Sequence, residues 1–471
     1  MIDSRVSGPE PPDAGPNARS QRKGANLGHM GIEGGSLRIE GPLSLRGEVW
    51  LPGDKSISHR ALLFASVADG VSSISNLSSG DDVLATRNFL SVVGVDSSVE
   101  DDGATRIAGN GFAGFLQPTT AIDCGNSGTT MRIGAGLLAG RPHFAVLNGD
   151  SSLRKRPMSR VIRPLSAMGA EVTGTDGNRF PPLVIRGGSL KGIEYEVEVA
   201  SAQVKGALIL AGLQASGETT LRLPAITRDH SERMLLALGC DLDSHENEVR
   251  VRPSQPCAFD MRVPGDISSA AFLMAAAAVC PGSHIALRSL SLNPSRLAIV
   301  DALKEMGVEV ETAVEGSVVG EPFGDIEVSH SPKLSAIDVS GSAAALLIDE
   351  IPVLACLAAH VPERSSFRDL TELRGKESDR IAVLCEELQR VGVEVKEFED
   401  GFELMGGGML AGEIGSHGDH RIAMAFASAL AGCQGLSIVT GFEAAAVSYP
   451  EFARDLALLA GVDPVEVGQV R

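Results

Sequence analysis

The chain has 471 residues and a mass of 49.0 kDa, more than a single hydrophobic core ordinarily serves, and its 43% apolar content excludes a disordered polypeptide. Lys and Arg number 41 against 60 Asp and Glu, and the net charge of -19 argues against a nucleic-acid partner, leaving anion recognition to local clusters. The longest apolar run, Ala270 to Cys280, is well short of the roughly 20 residues of a membrane span, so no membrane partner is expected.

Residues 1–35 are rich in Pro, Gly, Asn and charge and have no apolar stretch of a secretory signal, which predicts a disordered extension. From Leu51 onward one pattern recurs six times, at intervals of very roughly 70 residues. Small and polar residues open each copy, an Ala/Leu-rich helix follows, a Gly breaks it, and a short alternating strand and a second helix complete the unit. The openings are Gly53-Asp54-Lys55-Ser56, Gly125-Asn126-Ser127-Gly128, Ala200-Ser201-Ala202-Gln203, Gly265-Asp266-Ile267-Ser268, Ile348-Asp349-Glu350 and Gly418-Asp419-His420-Arg421. Strands are predicted over Gly217 to Leu223 and Gly282 to Leu290, and second helices over Met158 to Met168, Pro294 to Met306, Glu377 to Val391 and Pro450 to Ala460.

Six units divide naturally into three and three near Phe259 to Pro264, which predicts an α/β protein of two similar domains. Helix starts carry free N–H groups and the positive end of the helix dipole, so six polar starts facing one cleft would suit a substrate pair rich in phosphate and carboxylate. The seven cysteines, Cys124, Cys240, Cys257, Cys280, Cys356, Cys385 and Cys433, form no Cys-x-x-Cys pair and read as reduced core residues.

Basic residues concentrate in a few of these segments. Leu51-Pro-Gly-Asp-Lys-Ser-Ile-Ser-His-Arg60 sets Lys55, Ser56 and Arg60 at a helix start, and Asp123-Cys-Gly-Asn-Ser-Gly-Thr-Thr-Met-Arg132 resembles a phosphate-cradling loop without the Walker lysine. Gly149-Asp-Ser-Ser-Leu-Arg-Lys-Arg-Pro-Met158 gathers Arg154, Lys155 and Arg156, whose guanidinium groups suit bidentate anion contacts. Leu373-Arg-Gly-Lys-Glu-Ser-Asp-Arg380 brings Lys376, Glu377 and Arg380 together across one predicted helical turn, and Gly418-Asp-His-Arg421 adds a further cation. His417, Asp419 and His420 invite a metal reading, but no further His or Cys has ligand spacing nearby and no metal is expected.

In this order the motifs resemble the 5-enolpyruvylshikimate-3-phosphate synthases, enolpyruvyl transferases, from roughly Ser36 to the C-terminus. The resemblance implies two inverse α/β domains, each of three βαβαββ units, over 54–262 and over 36–53 with 263–471. It implies transfer of the enolpyruvyl group of phosphoenolpyruvate to the 5-hydroxyl of shikimate 3-phosphate by a cytoplasmic monomer without cofactor or metal, and inhibition by glyphosate. By the same resemblance Lys55, Ser56, Arg60, Ser201, Ala202, Gln203, Arg228, Asp349 and Lys376 hold shikimate 3-phosphate. Lys55, Gly128, Arg156, Gln203, Arg380 and Arg421 hold phosphoenolpyruvate, with Arg154 open as a substitute for Arg156. Asp349, Glu377 and Lys55 are the expected catalytic groups. Ser448 stands where some relatives carry a phosphate-binding Lys, so no cation is expected there. Because the cations come from both halves, their mutual repulsion predicts a cleft that closes only on anions.

Overall fold

The computed structural model describes residues 30–463. Its strands form six four-stranded sheets of one topology. In the second unit, strand Ile122–Asp123 runs parallel to Phe144–Asn148 across helix Gly128–Ala139. Helix Ser159–Ala167 then leads to Glu171–Gly174 and Phe180–Arg186, which add antiparallel to give the βαβαββ order. Four of the six crossover helices are flanked in the chain by strands of their own sheet, and helices Lys55–Val67 and Ile267–Val279 follow the passages between the two halves, so the recurrent sequence pattern marks a recurrent packing unit.

Two hydrophobic cores follow. One collects buried residues from Ile57 to Val263, the other those from Met30 to Leu51 and from Ile267 to Ala460. The chain passes between these lobes twice, at 51–54 and 263–266, and the strand before each passage stays in a sheet of the lobe it leaves. Arg46–Trp50 pairs parallel with His284–Ser291 in the second lobe, and Asp260–Arg262 with Asp69–Ser75 in the first.

The N-terminal strands complete the sixth sheet, where Ser36–Gly41 lies antiparallel to Gly435–Thr440 and Met30–Glu33 lies on the outer edge. The expected extension over 1–35 is therefore too long: residues 30–35 belong to a hairpin. Gly34 and Gly35, at φ 58° and 77°, supply the two left-handed positions of a tight turn, and Met30, Leu37 and Ile39 are buried. Residues 1–29 lie outside the described part of the chain.

The first helix of every unit is buried on nearly all sides, which is why these helices are rich in Ala and Gly rather than amphipathic. Gly136 shows the spacing required: a Cβ there would lie 2.0 Å from the carbonyl oxygen of Ala207 in helix Ala202–Gly212. One predicted helix starts late. Glu377 and Lys376 precede helix Arg380–Arg390, because Asp379 accepts from the Ala382 N–H at 3.1 Å and caps it there, so Glu377 meets Arg380 from a loop.

Candidate active site

All six first helices begin at one cavity of about 450 Å³ between the lobes. Lys55, Gly128 and Gln203 face it from the first lobe, Asp266, Asp349 and Arg421 from the second. Side-chain caps fix five of the starts, with Asp54 accepting from Ile57 N, Ser127 from Thr130 N, Ser201 from Val204 N, Asp266 from Ser268 N and Asp419 from Arg421 N. The positive ends of the helix dipoles are thereby aimed at one volume.

On the first-lobe wall Lys55 Nζ lies 2.5 Å from Asp82 Oδ2, and its backbone N–H donates to Asp266 across the crossover at 3.2 Å. Gln203 donates to Thr129 Oγ1 at 2.9 Å and accepts from Arg132. Ser56, Ser201 and Ala202 also line this wall. Arg156 donates to Asn126 Oδ1 at 2.5 Å and to Ser152 Oγ at 3.2 Å, which hold its guanidinium at the cavity, whereas Arg154 is exposed outside it. The geometry thus separates the two arginines that the sequence left as alternatives.

Two carboxylates of the second lobe stand among several cations. Asp349 is surrounded by Arg228 at 2.8 Å, Lys376 at 3.5 Å, Arg380 at 3.8 Å and Arg421 at 3.9 Å. Glu377 meets Arg380 at 2.6 Å and Arg156 at 3.6 Å. Burial pushes both carboxyl groups up, but the surrounding cations outweigh it and hold both well below the usual carboxylate range: Lys376, Arg421, Arg228 and Arg380 for Asp349, and Arg380, His420, Arg156 and Lys55 for Glu377. Burial, followed by Lys55, presses His420 down to about 4, so its imidazole is neutral near pH 7.

The expected repulsion between the two sets of cations does not hold the cleft open. Arg228–Asp349, Arg156–Glu377 and Arg160–Glu372 join the lobes across it, because carboxylates of one lobe stand among the arginines of the other. Arg60 does not line this cavity; it is buried, donating to the carbonyl of Ser56, one turn back on helix Lys55–Val67, at 2.9 Å and to Ser231 Oγ at 2.8 Å. His417 and His420 part company: His417 Nε2 lies 2.6 Å from Glu387 Oε1, with Glu386 alongside and Arg390 against both carboxylates, while His420 faces the cavity.

Sequence reasoning missed Asp82, Arg132, Arg160 and Thr227, all on the cavity wall, and weighed His420 only as a metal ligand. Arg132 was within reach, since it ends the quoted Gly128 motif one helical turn on. Burial, Arg160 and Arg156 press its pKa down to about 9, the mark of a cation short of counter-charge. Arg132 Nε, Arg156 Nε, Arg228 NH2 and Arg380 NH1 are buried without an aligned hydrogen-bond acceptor among the described residues. Buried donors of that kind are costly unless met, and the oxygens of phosphates and carboxylates would meet them.

The family model for EPSP synthase (3-phosphoshikimate 1-carboxyvinyltransferase) matches residues 39–456. The chain belongs to the EPSP synthase family. It is 46% identical to the 3-phosphoshikimate 1-carboxyvinyltransferase of Syntrophomonas wolfei over 411 residues, 87% of this chain and 96% of that protein. Identity to the protein of the same name from Synechococcus sp. RCC307 is also 46%, over 90% of this chain and 99% of that one. Among solved structures, EPSP synthase from Acinetobacter baumannii superposes with a TM-score of 0.81 at 38% identity, over 91% of this chain and 98% of the other. The enolpyruvyl transferase NikO from Streptomyces tendae shares the fold, with a TM-score of 0.72 at 15% identity over 91% of this chain and 98% of that one. As an EPSP synthase the chain is a transferase that moves the carboxyvinyl group of phosphoenolpyruvate to shikimate 3-phosphate.

Proposed function

We propose that this EPSP synthase binds shikimate 3-phosphate through Lys55, Ser56, Arg60, Ser201, Ala202, Gln203, Arg228, Asp349 and Lys376. Phosphoenolpyruvate lies against Lys55, Gly128, Arg156, Gln203, Arg380 and Arg421. The observation that carries this reading is the set of buried guanidinium N–H groups lacking acceptors around two ionised carboxylates. Each substrate carries a carboxylate and a phosphate, roughly three negative charges near neutral pH, and supplies acceptors in about the number the cations require.

In the first step the 5-hydroxyl oxygen bonds to C2 of phosphoenolpyruvate, the C2–C3 π electrons take a proton at C3, and the hydroxyl proton passes to Asp349. A tetrahedral ketal results. In the second, C3 returns a proton, the double bond re-forms, and the bond from C2 to the phosphate oxygen breaks, its electrons leaving on phosphate, which takes the proton held by Asp349. Overall no electrons are gained or lost, so no redox cofactor enters. Glu377 is the group assigned to C3. An incoming phosphate that engages Arg156 and Arg380 weakens their hold on the Glu377 carboxylate and raises its pKa, which lets it carry the proton it must deliver. Lys55 and Lys376 stabilise the charge developing on oxygen.

Turnover in D2O tests the sequence of steps. The product is expected to carry solvent deuterium at C3, because protonation makes a methyl group from which any hydrogen can be lost; a product free of deuterium would contradict addition followed by elimination. A Cβ on Gly128 would lie 2.8 Å from Arg132 NH1 and 3.7 Å from Arg156 NH1. Gly128→Ala is therefore expected to weaken glyphosate more than phosphoenolpyruvate, by about 10- to 100-fold on the scale of overpacking. Equal inhibition of variant and wild type in a phosphate-release assay would remove Gly128 from inhibitor recognition.

We further propose that 54–262 and 36–53 with 263–471 move as two domains, the separate cores supporting this division. We also propose that the protein acts as a monomer, as the family resemblance implies. No helix among the described residues is long and apolar enough to cross a membrane, and a cytoplasmic setting fits the pathway chemistry.

A further inference from the structure

The hairpin of Glu309–Val318 and Glu321–Ser329 belongs to the second lobe, yet its tip enters the first. Val318 and Val319 pack against the first-lobe core. Val319 has φ 46°, a left-handed conformation that a β-branched side chain adopts only when its surroundings compel it. At Gly320 a Cβ would lie 2.5 Å from the carbonyl oxygen of Arg233, so the tip approaches helix His230–Ala237 as closely as backbone allows.

Behind this tip lies a buried polar contact between the lobes. Glu321 and His230 are both 0% exposed, and their Oε1 and Nδ1 are 2.9 Å apart. Arg296 NH1 can only donate to His230 Nε2, at 3.3 Å, which leaves Nδ1 to carry the proton given to Glu321. Asn293, also from the second lobe, donates to Glu321 Oε2 at 3.0 Å and to Asp229 Oδ1 at 2.9 Å, and the Ser295 hydroxyl, with one proton to give, lies 2.7 Å from Asn293 Oδ1 and 3.2 Å from the same Asp229 oxygen. Asp229 and His230 directly follow Arg228. The turn that presents this first-lobe arginine is thus gripped by second-lobe groups on two sides. Arg228 itself reaches Asp349 at 2.8 Å but without hydrogen-bond alignment, leaving the guanidinium free to turn toward another anion.

We propose that Glu321, acting with Asn293 through His230 and Asp229, is a positioning residue that sets Arg228 over Asp349 for shikimate 3-phosphate. Glu321 touches no substrate; it fixes the turn so that binding need not order it. The inference rests on the reading of Arg228 as a shikimate 3-phosphate contact.

Four proteins test it: wild type, Arg228→Ala, Glu321→Gln and the double variant, each checked for a cooperative melt and assayed for kcat and both KM values. Glu321→Gln is expected to raise KM for shikimate 3-phosphate roughly 5- to 20-fold while changing KM for phosphoenolpyruvate by less than about twofold. On the Arg228→Ala background the same change is expected to add less than about twofold, because the residue through which it acts is gone. Full multiplication of the two effects, or an unchanged KM in folded Glu321→Gln, overturns the positioning role. If Arg228→Ala itself leaves KM for shikimate 3-phosphate unchanged, the reading of Arg228 fails instead. Should Glu321→Gln not fold, Ser295→Ala removes the hydroxyl that stands 2.7 Å from Asn293 Oδ1 and 3.2 Å from Asp229 Oδ1, and is expected to raise the same KM about threefold; an unchanged value then overturns the proposal.

Discussion

Glu377→Gln is expected to lower kcat by roughly 10²- to 10⁴-fold, the usual scale of general acid–base catalysis, with both KM values little changed. The amide keeps the size of the side chain and can still accept from Arg380, whose NH2 lies 2.6 Å from the carboxylate, but it cannot exchange a proton at C3. The opposing account makes Glu377 a counter-ion for Arg380 alone. That role would show as a lower melting temperature or a raised KM with turnover retained, since Arg380 is 1% exposed and keeps Asp419 at 2.7 Å as its other partner. Near-normal kcat in the folded variant would remove Glu377 from the mechanism and leave Asp349 as the carboxylate that moves protons.

Arg296→Met is expected to cost about 3–5 kcal/mol of stability, the scale seen when one member of a buried ionic cluster is removed. Arg296 is 3% exposed and spans the two chain crossings, 3.1 Å from Asp54 Oδ2 and 3.4 Å from Asp266 Oδ1. Its loss leaves two carboxylates facing each other without a cation. Burial and then Asp266 already raise the pKa of Asp54 above its ordinary value despite Arg296. A carboxyl whose folded pKa is raised contributes stability below its unfolded pKa and loses it as pH rises through the folded value. Removing Arg296 raises Asp54 further, so the deficit in melting temperature should shrink as pH falls from about 8 toward 5. A deficit independent of pH would mean that lost packing, not unpaired charge, is the cause.

What could be read from the sequence was local. Five of the six helix starts depend on side-chain caps, and all six helices on small residues inside them, signals that lie within a few positions of one another, and each start lies where the pattern put it. Most of the expected site residues share the cavity because they sit at those starts. What could not be read depends on how the lobes dock. The Arg228–Asp349 and Arg156–Glu377 pairs join positions more than a hundred residues apart, and without them the cations looked mutually repulsive. Arg60 lies one helical turn after Ser56, on the same face, and the Ser56 carbonyl and Ser231 Oγ that take up its guanidinium could not be foreseen, because Ser231 comes from a helix far along the chain. The hairpin at Met30–Glu33 escaped notice because a four-residue edge strand next to a polar segment carries little periodicity.

The account as a whole is tested most directly by mixing the full-length protein with phosphoenolpyruvate, with shikimate 3-phosphate, and with both, and following inorganic phosphate. Phosphate is expected only with both substrates, in a one-to-one ratio with 5-enolpyruvylshikimate 3-phosphate. Release from phosphoenolpyruvate alone, or none from the folded protein with both present, would contradict it.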